Sequence, residues 1–185
     1  MNMGGCANLP GQVPLGDAWA SAINDRGEII GSSEYRPAIW LNGRIHDLGL
    51  PSGFTKGGGT AINERGVAVG SFSNPEKTVG FIYRDGFVRL LPRPREAKGF
   101  APLCINNAGD VLFNFFPRTQ DSEGNWLYSK GRLYDLTPIV ARATRLPIAS
   151  LTLFDMNDHG LIVGTAYYWN KGGLLDAQGI VLVPK

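Results

Sequence analysis

The amino-acid sequence predicts an all-β fold, a closed four-bladed β-propeller in which an N-terminal strand completes the last blade. Three observations favour it. One turn motif recurs four times at a spacing close to the length of a propeller blade. Each copy lies among short predicted strands rich in β-branched residues, and the two ends of the chain resemble halves of one repeat. The 25 glycines and 12 prolines among 185 residues are typical of a chain dominated by turns and short strands.

The recurring motif is Asn-x-x-Gly, with its asparagines spaced 39, 43 and 51 residues apart. This spacing is close to the length of a four-stranded propeller blade. The four copies are Ile23-Asn24-Asp25-Arg26-Gly27, Ile62-Asn63-Glu64-Arg65-Gly66, Ile105-Asn106-Asn107-Ala108-Gly109 and Met156-Asn157-Asp158-His159-Gly160.

Each turn connects two predicted strands, and in the first three repeats a predicted hairpin follows. In the first repeat a strand at residues 18–23 precedes the turn, and a run rich in isoleucine at 28–32 follows it. A third strand at 37–41 then meets a fourth at 44–48 through Asn42-Gly43, a pair that tolerates positive φ at both residues. Asp85-Gly86 and Lys130-Gly131 occupy the same place in the second and third repeats.

The pattern sets the predicted blades at about 17–50, 57–91, 99–137 and 150–184. The fourth blade lacks a fourth strand, and residues 10–16 match the turn and strand that are missing. Pairing this segment with the last blade would close the ring and remove an unpaired sheet edge. An open solenoid is the main alternative, and it predicts atypical polar caps at the ends.

Composition excludes several partners and reactions. A net charge of +2 favours neither nucleic acid nor an anionic membrane. No signal peptide and no membrane span is predicted in this chain. Cys6 and Cys104 are not spaced as a metal site or disulfide framework, and His46 and His159 are predicted to lie too far apart for a shared catalytic pocket.

The repeat resembles the HAF family of extracellular repeats. The resemblance rests on Ala-Ile-Asn, a polar residue, x, Gly, an aliphatic run ending in Gly, and an aromatic-containing strand before Asp-Leu, best seen at residues 22–31 and 38–49. The family's His-Ala-Phe triplet is replaced here by Pro37-Ala38-Ile39 and Val79-Gly80-Phe81. The resemblance implies a propeller-like fold and an extracellular or periplasmic parent protein, and it transfers no catalytic residue.

The predicted ligand site lies on the face that carries the long loops. These loops join consecutive blades, as at 138–150, and join the second strand of a blade to the third, as at 167–178. Long loops carry function more often than short turns. Arginine forks and stacked rings there suit a small molecule, glycan or peptide. The predicted ligand-binding residues are Tyr35, Arg36, Arg118, Tyr168, Trp169 and Lys171.

The four motif asparagines have two interpretations. Each side chain can cap its own turn by accepting a backbone N–H, which explains why the residue recurs in every turn. Alternatively, their oxygens line the mouth of the channel and bind calcium, a cation that prefers six to eight oxygen ligands. The second interpretation makes Asn24, Asn63, Asn106 and Asn157 a candidate metal site.

Two functions follow from these sites. The first is an exported-type ligand-binding or interaction module that uses the long-loop face. The alternative is a calcium-dependent lactone or ester hydrolase acting at the central channel, in which the metal would activate water. A scaffold role is the third interpretation, and the oligomeric state is not predicted by the sequence.

Overall fold

The computed structural model describes residues 18–94, 97–117 and 124–184, and within them it forms four consecutive antiparallel units. Unit 1 contains β1 (Ala18–Ile23), β2 (Ile29–Ser33), β3 (Arg36–Leu41) and β4 (Arg44–Asp47); unit 2 contains β5 (Lys56–Ile62), β6 (Ala68–Ser73), β7 (Thr78–Arg84) and β8 (Phe87–Leu90); unit 3 contains β9 (Ala97–Ile105), β10 (Val111–Pro117), β11 (Gly124–Ser129), β12 (Arg132–Asp135) and α1 (Leu136–Thr144); unit 4 contains β13 (Ile148–Met156), β14 (Ile162–Trp169) and β15 (Leu175–Leu182). The all-β prediction is confirmed.

The predicted hairpin turns form as expected. Asn42, Asp85 and Lys130 have φ near +50° and each is followed by a glycine that also has positive φ. This is the backbone that joins two strands without splaying them, since its twist matches theirs. The turns hold the third and fourth strands of units 1, 2 and 3 in register.

The core consists of three apolar clusters that lie between consecutive units. Ile30 and Ile39 of unit 1 pack with Ala68 of unit 2. A second cluster joins units 2 and 3 and includes the stacked rings of Phe100 and Phe113, whose centroids are 4.1 Å apart. The third joins units 3 and 4. Each unit is therefore stabilised mainly by its neighbours along the chain, as in repeat proteins.

Units 2 and 3 are also joined by backbone pairing. β7 and β9 run parallel over a short register, Thr78 with Gly99 and Val79 with Phe100, which merges the two units into one eight-stranded sheet. Units 1 and 4 form separate sheets of four and three strands. Units 3 and 4 share a buried side-chain contact instead: Asn125 on β11 donates to the Leu151 carbonyl and accepts the Leu153 N–H of β13.

Two segments differ from the sequence predictions. The predicted loop after unit 3 contains most of α1, which is N-capped by Asp135, whose side chain accepts the Thr137 N–H. The helix buries Leu136 and Val140. The predicted loop at 167–178 is mostly strand, because β14 continues to Trp169 and pairs with Leu175. In both segments the backbone N–H and C=O groups are hydrogen-bonded within a helix or a sheet. In a loop many of these groups would be hydrogen-bonded to water instead.

Ring closure stays a prediction. The segment predicted to complete unit 4, residues 10–16, lies outside the described residues, as does Arg118. The three sheets that are described do not form a closed circle of pairing. Unit 4 has three described strands where the other units have four.

Candidate functional site

The motif asparagines form a ladder that links each unit to the next. The Asn24 Nδ2 group donates to the Asn63 carbonyl at 3.0 Å, and Asn63 Nδ2 donates to the Asn106 carbonyl at 2.9 Å. Asn106 Nδ2 lies 3.5 Å from the Asn157 carbonyl. The first three asparagines are buried, whereas Asn157 is exposed. The ladder therefore has a direction, with donors pointing from unit 1 towards unit 4.

A second tier of hydrogen bonds runs beside the first. The backbone N–H of the residue after each asparagine donates to the side chain at the same position in the next unit. Asp25 donates to Glu64 at 3.0 Å, Glu64 to Asn107 at 2.9 Å, and Asn107 to Asp158 at 2.7 Å. Each unit is thus joined to the next by two kinds of hydrogen bond, one donated by an asparagine side-chain amide and one donated by a backbone N–H.

Hydrogen bonds within each turn confirm the capping interpretation of the asparagines. The side-chain oxygens of Asn24, Asn63 and Asn157 each accept two backbone N–H groups within their own turn, two and four residues further on. The Asn106 oxygen accepts the Asp110 N–H at 2.9 Å. The sequence predicted these bonds within each turn. The bonds between units could not be predicted, because they depend on which turns become neighbours in the fold.

The same bonds decide how well these residues fit a calcium ion. An amide oxygen has two lone pairs, and in three of the four turns both are directed at backbone N–H groups. The Nδ2 groups are hydrogen-bond donors and cannot coordinate a cation, and those of Asn24, Asn63 and Asn106 face the next unit. The asparagine side chains therefore do not fit a calcium site in this arrangement, and calcium binding by other groups stays a prediction.

Side-chain clusters of the kind that hold transition metals are lacking in the described part of the chain. Over residues 18–94, 97–117 and 124–184, no group of three or more His, Cys, Asp or Glu side chains converges. His46 lies on β4 and His159 in the turn between β13 and β14, so they belong to different units.

Loops on the predicted ligand face contact one another across units 1 and 2. Asn74 Nδ2 donates to the Gly53 carbonyl at 2.6 Å, and the Lys77 ammonium lies 5.4 Å from the centre of the Phe54 ring. The Gly57 N–H donates to the Tyr35 carbonyl at 2.7 Å. These contacts hold the turn between β2 and β3, the loop between β6 and β7 and the connection between units on one side of the molecule.

Trp169 lies at the end of a regular hairpin and is 53% exposed. The hairpin turn contains the same hydrogen bonds as the ladder turns. The Asn170 side-chain oxygen accepts the backbone N–H groups of Gly172 and Leu174, two and four residues further on. Asn170 Nδ2 donates to Asp176 at 3.1 Å. Leu174 and Leu175 are exposed beside Trp169, so the hairpin end carries an apolar patch. The sequence signal was a further Asn-x-x-Gly, Asn170 to Gly173, which the repeat spacing does not include.

The other predicted ligand residues are spread over the molecule. Tyr35 is exposed in the turn between β2 and β3 in unit 1, with φ at +62°. Arg36 is engaged within its own unit, since its Nε donates to Asp47 at 2.8 Å. Tyr168 is half-buried on β14, and Lys171 is exposed in the Asn170 turn. The structure therefore groups Tyr168, Trp169 and Lys171 in one hairpin and places Tyr35 and Arg36 on another unit.

A groove that the sequence did not indicate lies between units 2 and 3, beside the short turns. Its volume is about 630 Å³. Ile82 and Tyr128 line it, Phe87 projects from its wall with 70% exposure, and the charged residues around it are Arg84, Asp85, Arg89 and Lys130. None of its three basic side chains forms an ion pair with another described residue. The excess of positive charge favours an anionic ligand.

Comparison with known proteins supports the fold. No family model and no curated protein matches the chain. It is similar to the crystal structure of TolB from Acinetobacter baumannii, a propeller-type protein, with a TM-score of 0.53 and 15% identity over 89% of this chain and 42% of that one. A candidate gluconolactonase superposes with a TM-score of 0.44 and 16% identity over 88% of this chain and 62% of that one. The chain thus spans less than two thirds of either protein.

No helix among the described residues is both long and apolar enough to cross a lipid bilayer.

Proposed function

We propose that this chain is a β-propeller-type binding module that captures a small molecule, glycan or peptide through the hairpin carrying Trp169. The observation that carries the proposal is the exposure of Trp169 on a rigid element. Its strand pairs on both sides, with β13 and with β15, and its turn is capped by Asn170. A half-exposed indole held by regular pairing offers a large contact area and loses little conformational freedom on binding.

The surroundings of Trp169 suit a ligand with an apolar face and polar groups. Leu174 and Leu175 supply apolar surface, and Lys171 places a cation in the same turn. A sugar ring or an aromatic peptide side chain can stack on an indole, and an acidic group can meet the ammonium. The proposal keeps the exported location implied by the HAF resemblance.

The finer architecture belongs to the same proposal. Unit 4 has one described strand fewer than the other units, and residues 10–16 carry the matching strand pattern. We therefore expect that segment to pair with β15 at the junction between unit 4 and unit 1. Removing residues 1–16 should then speed the hydrogen exchange of β15 amides while leaving that of β6 unchanged.

Two matched variants test the binding proposal. Trp169→Ala and Phe87→Ala each remove an aromatic ring that is more than half exposed, so neither should unfold the chain. Wild type and both variants would be applied to glycan and peptide arrays, and hits would be titrated by calorimetry. We expect Trp169→Ala to weaken capture at least tenfold, which corresponds to about 1.4 kcal/mol, and Phe87→Ala to leave it unchanged.

The opposite result would overturn the proposal. If Phe87→Ala abolishes capture and Trp169→Ala does not, the ligand site is the groove between units 2 and 3. If neither variant matters, the long-loop face has no binding role of this kind.

A further inference from the structure

We propose that the groove between units 2 and 3 is a second ligand site, which binds a small organic anion with a flat apolar body, such as an aromatic carboxylate. The groove lies beside the short turns of these two units, and the inference does not depend on the ligand site at Trp169. Three features carry it: a gap in the packing between the units, apolar surface inside the gap, and basic side chains around it.

The gap is a departure from the packing of the equivalent residues in unit 1. Ile39 and Ile82 each lie three residues before a hairpin turn. Ile39 has no exposed surface, whereas Ile82 is half-buried and lines the groove. Directly before the turn, unit 1 has Leu41, which packs against the cluster that units 1 and 2 share, and unit 2 has the exposed Arg84. An arginine at this position leaves open the space that a packed leucine occupies in unit 1.

The wall that belongs to unit 2 alternates apolar and basic side chains. The register of β7 and β8 pairs Ile82 with Arg89 and Arg84 with Phe87. Opposite residues of paired strands, and alternate residues along one strand, share a face of the sheet. These four side chains therefore lie on one face of the hairpin, and all four line the groove.

The opposite wall belongs to unit 3. It is lined by Ala108 and Gly109 of the turn between β9 and β10 and by Tyr128 and Lys130 of the β11–β12 hairpin. The Arg84 guanidinium reaches this wall, because a Cβ added to Gly109 would lie 3.3 Å from its Nη2 atom. Lys130 is exposed on the same wall. Basic groups therefore lie on both sides of the groove.

The charges around the groove favour an anion. Arg84, Arg89 and Lys130 are exposed, and none of them forms an ion pair within residues 18–94, 97–117 and 124–184. Asp85 is the one acidic side chain among the lining residues that the structure describes. A carboxylate would offset the excess of positive charge, and it can accept two parallel N–H bonds from an arginine.

The interior favours a ring rather than a bare ion. Leu91 is buried at the groove, Tyr128 is half-buried, and Phe87 is 70% exposed. A flat ring can stack on Phe87 and cover this apolar surface, whereas an inorganic anion would leave it in water. The groove volume of about 630 Å³ is typical of small-molecule sites. An aromatic carboxylate matches both the charges and the apolar surface.

Titration of the Trp169→Ala chain with 2-naphthoate tests the groove by itself, since the hairpin indole is absent. Two-dimensional amide NMR spectra report where the compound binds. We expect saturable shifts for Gly109 and Gly131, which line the groove, and none for Gly173 in the Asn170 turn. 2-Naphthamide has the same shape without the charge, and acetate has the charge without the ring, so both should bind about tenfold more weakly or less.

Paired arginine variants test the role of the charges. Arg84→Gln with Arg89→Gln removes two charges from the groove and should raise the dissociation constant of 2-naphthoate about tenfold. The control is Arg44→Gln with Arg142→Gln, which removes two charges from β4 and α1 and should change it by less than about twofold. All four side chains are exposed, so both double variants should keep the fold.

A pair of phenylalanine variants tests the role of the ring. Phe87→Ala should weaken 2-naphthoate binding about threefold or more, because the stacking surface is lost. Phe154→Ala is the control and should bind like the parent chain, since Phe154 is 57% exposed on β13 and does not line the groove. Phe87→Ala should spare capture at Trp169, so the two proposed sites can fail separately.

Three results would overturn the proposal. One is the absence of saturable shifts at Gly109 and Gly131. Another is equal binding of 2-naphthamide and 2-naphthoate, which would show that the basic side chains select no anion. The third is an equal dissociation constant for the two arginine double variants when the amide spectra show that both are folded.

Discussion

Asparagine has two roles in each of the first three ladder turns, and only one of them is visible in the sequence. The side-chain oxygen of Asn63 caps its own turn by accepting the Arg65 and Val67 N–H groups, an interaction set by local spacing. Its Nδ2 group bonds a carbonyl 43 residues away. That second role follows from the way neighbouring turns stack, which no local pattern encodes.

Trp169 shows how far the sequence could predict the candidate site. The sequence placed Tyr168 and Trp169 among the predicted ligand-binding residues, and the structure leaves the Trp169 side chain 53% exposed. Arg36 was grouped with it on the basis of loop position alone. The structure instead pairs Arg36 with Asp47, because the side chains of adjacent strands meet across the hairpin.

Cys104 provides a prediction at the residue scale. Burial, with a further contribution from the nearby Asp155 charge, raises the pKa of its thiol to about 12 from an ordinary value of 9.0. The thiol should therefore stay protonated in the folded chain at pH 8.5. With Cys6 replaced by serine, we expect alkylation by iodoacetamide to be slow in buffer and fast in urea. Equal rates in both conditions would contradict this environment.

The same raised pKa fixes the sign of a pH effect on stability. A group whose pKa is higher in the folded chain binds its proton more tightly there, so its contribution is complete below pH 9 and is lost as the pH rises towards 12. Wild type should thus lose more stability than Cys104→Ala over that range.

Strand positions were predicted well in the repeats that keep the regular order of strand, Asn-x-x-Gly turn, strand and hairpin. β1 begins and ends where the sequence indicated, and the turns at Asn42, Asp85 and Lys130 have the expected positive φ. α1 was missed because it has only nine residues, too few for a helical spacing of apolar residues to stand out. The available signal was Asp135 as an N-cap with Pro138 in the first turn, a combination typical of a helix start.

Close packing between elements gives a second prediction, with a matched control. Gly59→Val would drive its side chain into Ile30, because even a Cβ there would lie 2.1 Å from Ile30 Cγ1. We expect a loss of about 2 kcal/mol or more in the free energy of unfolding, typical of overpacking in a core. Gly179→Val on β15 meets nothing within 4 Å and should be nearly neutral. Urea denaturation of both variants measures the difference.

At the scale of the whole molecule, the sequence predicted the number and order of the repeats. It could not show that β7 and β9 would merge two units into one sheet, since that pairing needs only two residue pairs and has no sequence signature. Nor could it show that Ala20 on β1 and Val163 on β14 would be exposed although both lie on strands. Whether a residue is exposed depends on how the units pack against one another, and the spacing of the motifs along the chain does not determine that.

We infer that four repeats fold as one array because the asparagine ladder couples each unit to the next. Asn63→Ala removes a buried link, and Asn157→Ala removes the same side chain from an exposed end. Both variants lose the cap, but only the first loses a bond to another unit.

The most direct test is the free energy of unfolding of these two variants, measured in urea by circular dichroism and tryptophan fluorescence. We predict a loss of about 2–4 kcal/mol for Asn63→Ala, because buried N–H groups lose their acceptor and a bond between units is removed. Asn157→Ala should cost about 1 kcal/mol, as water replaces an exposed cap. Equal losses for the two variants would contradict the claim that the ladder couples the units.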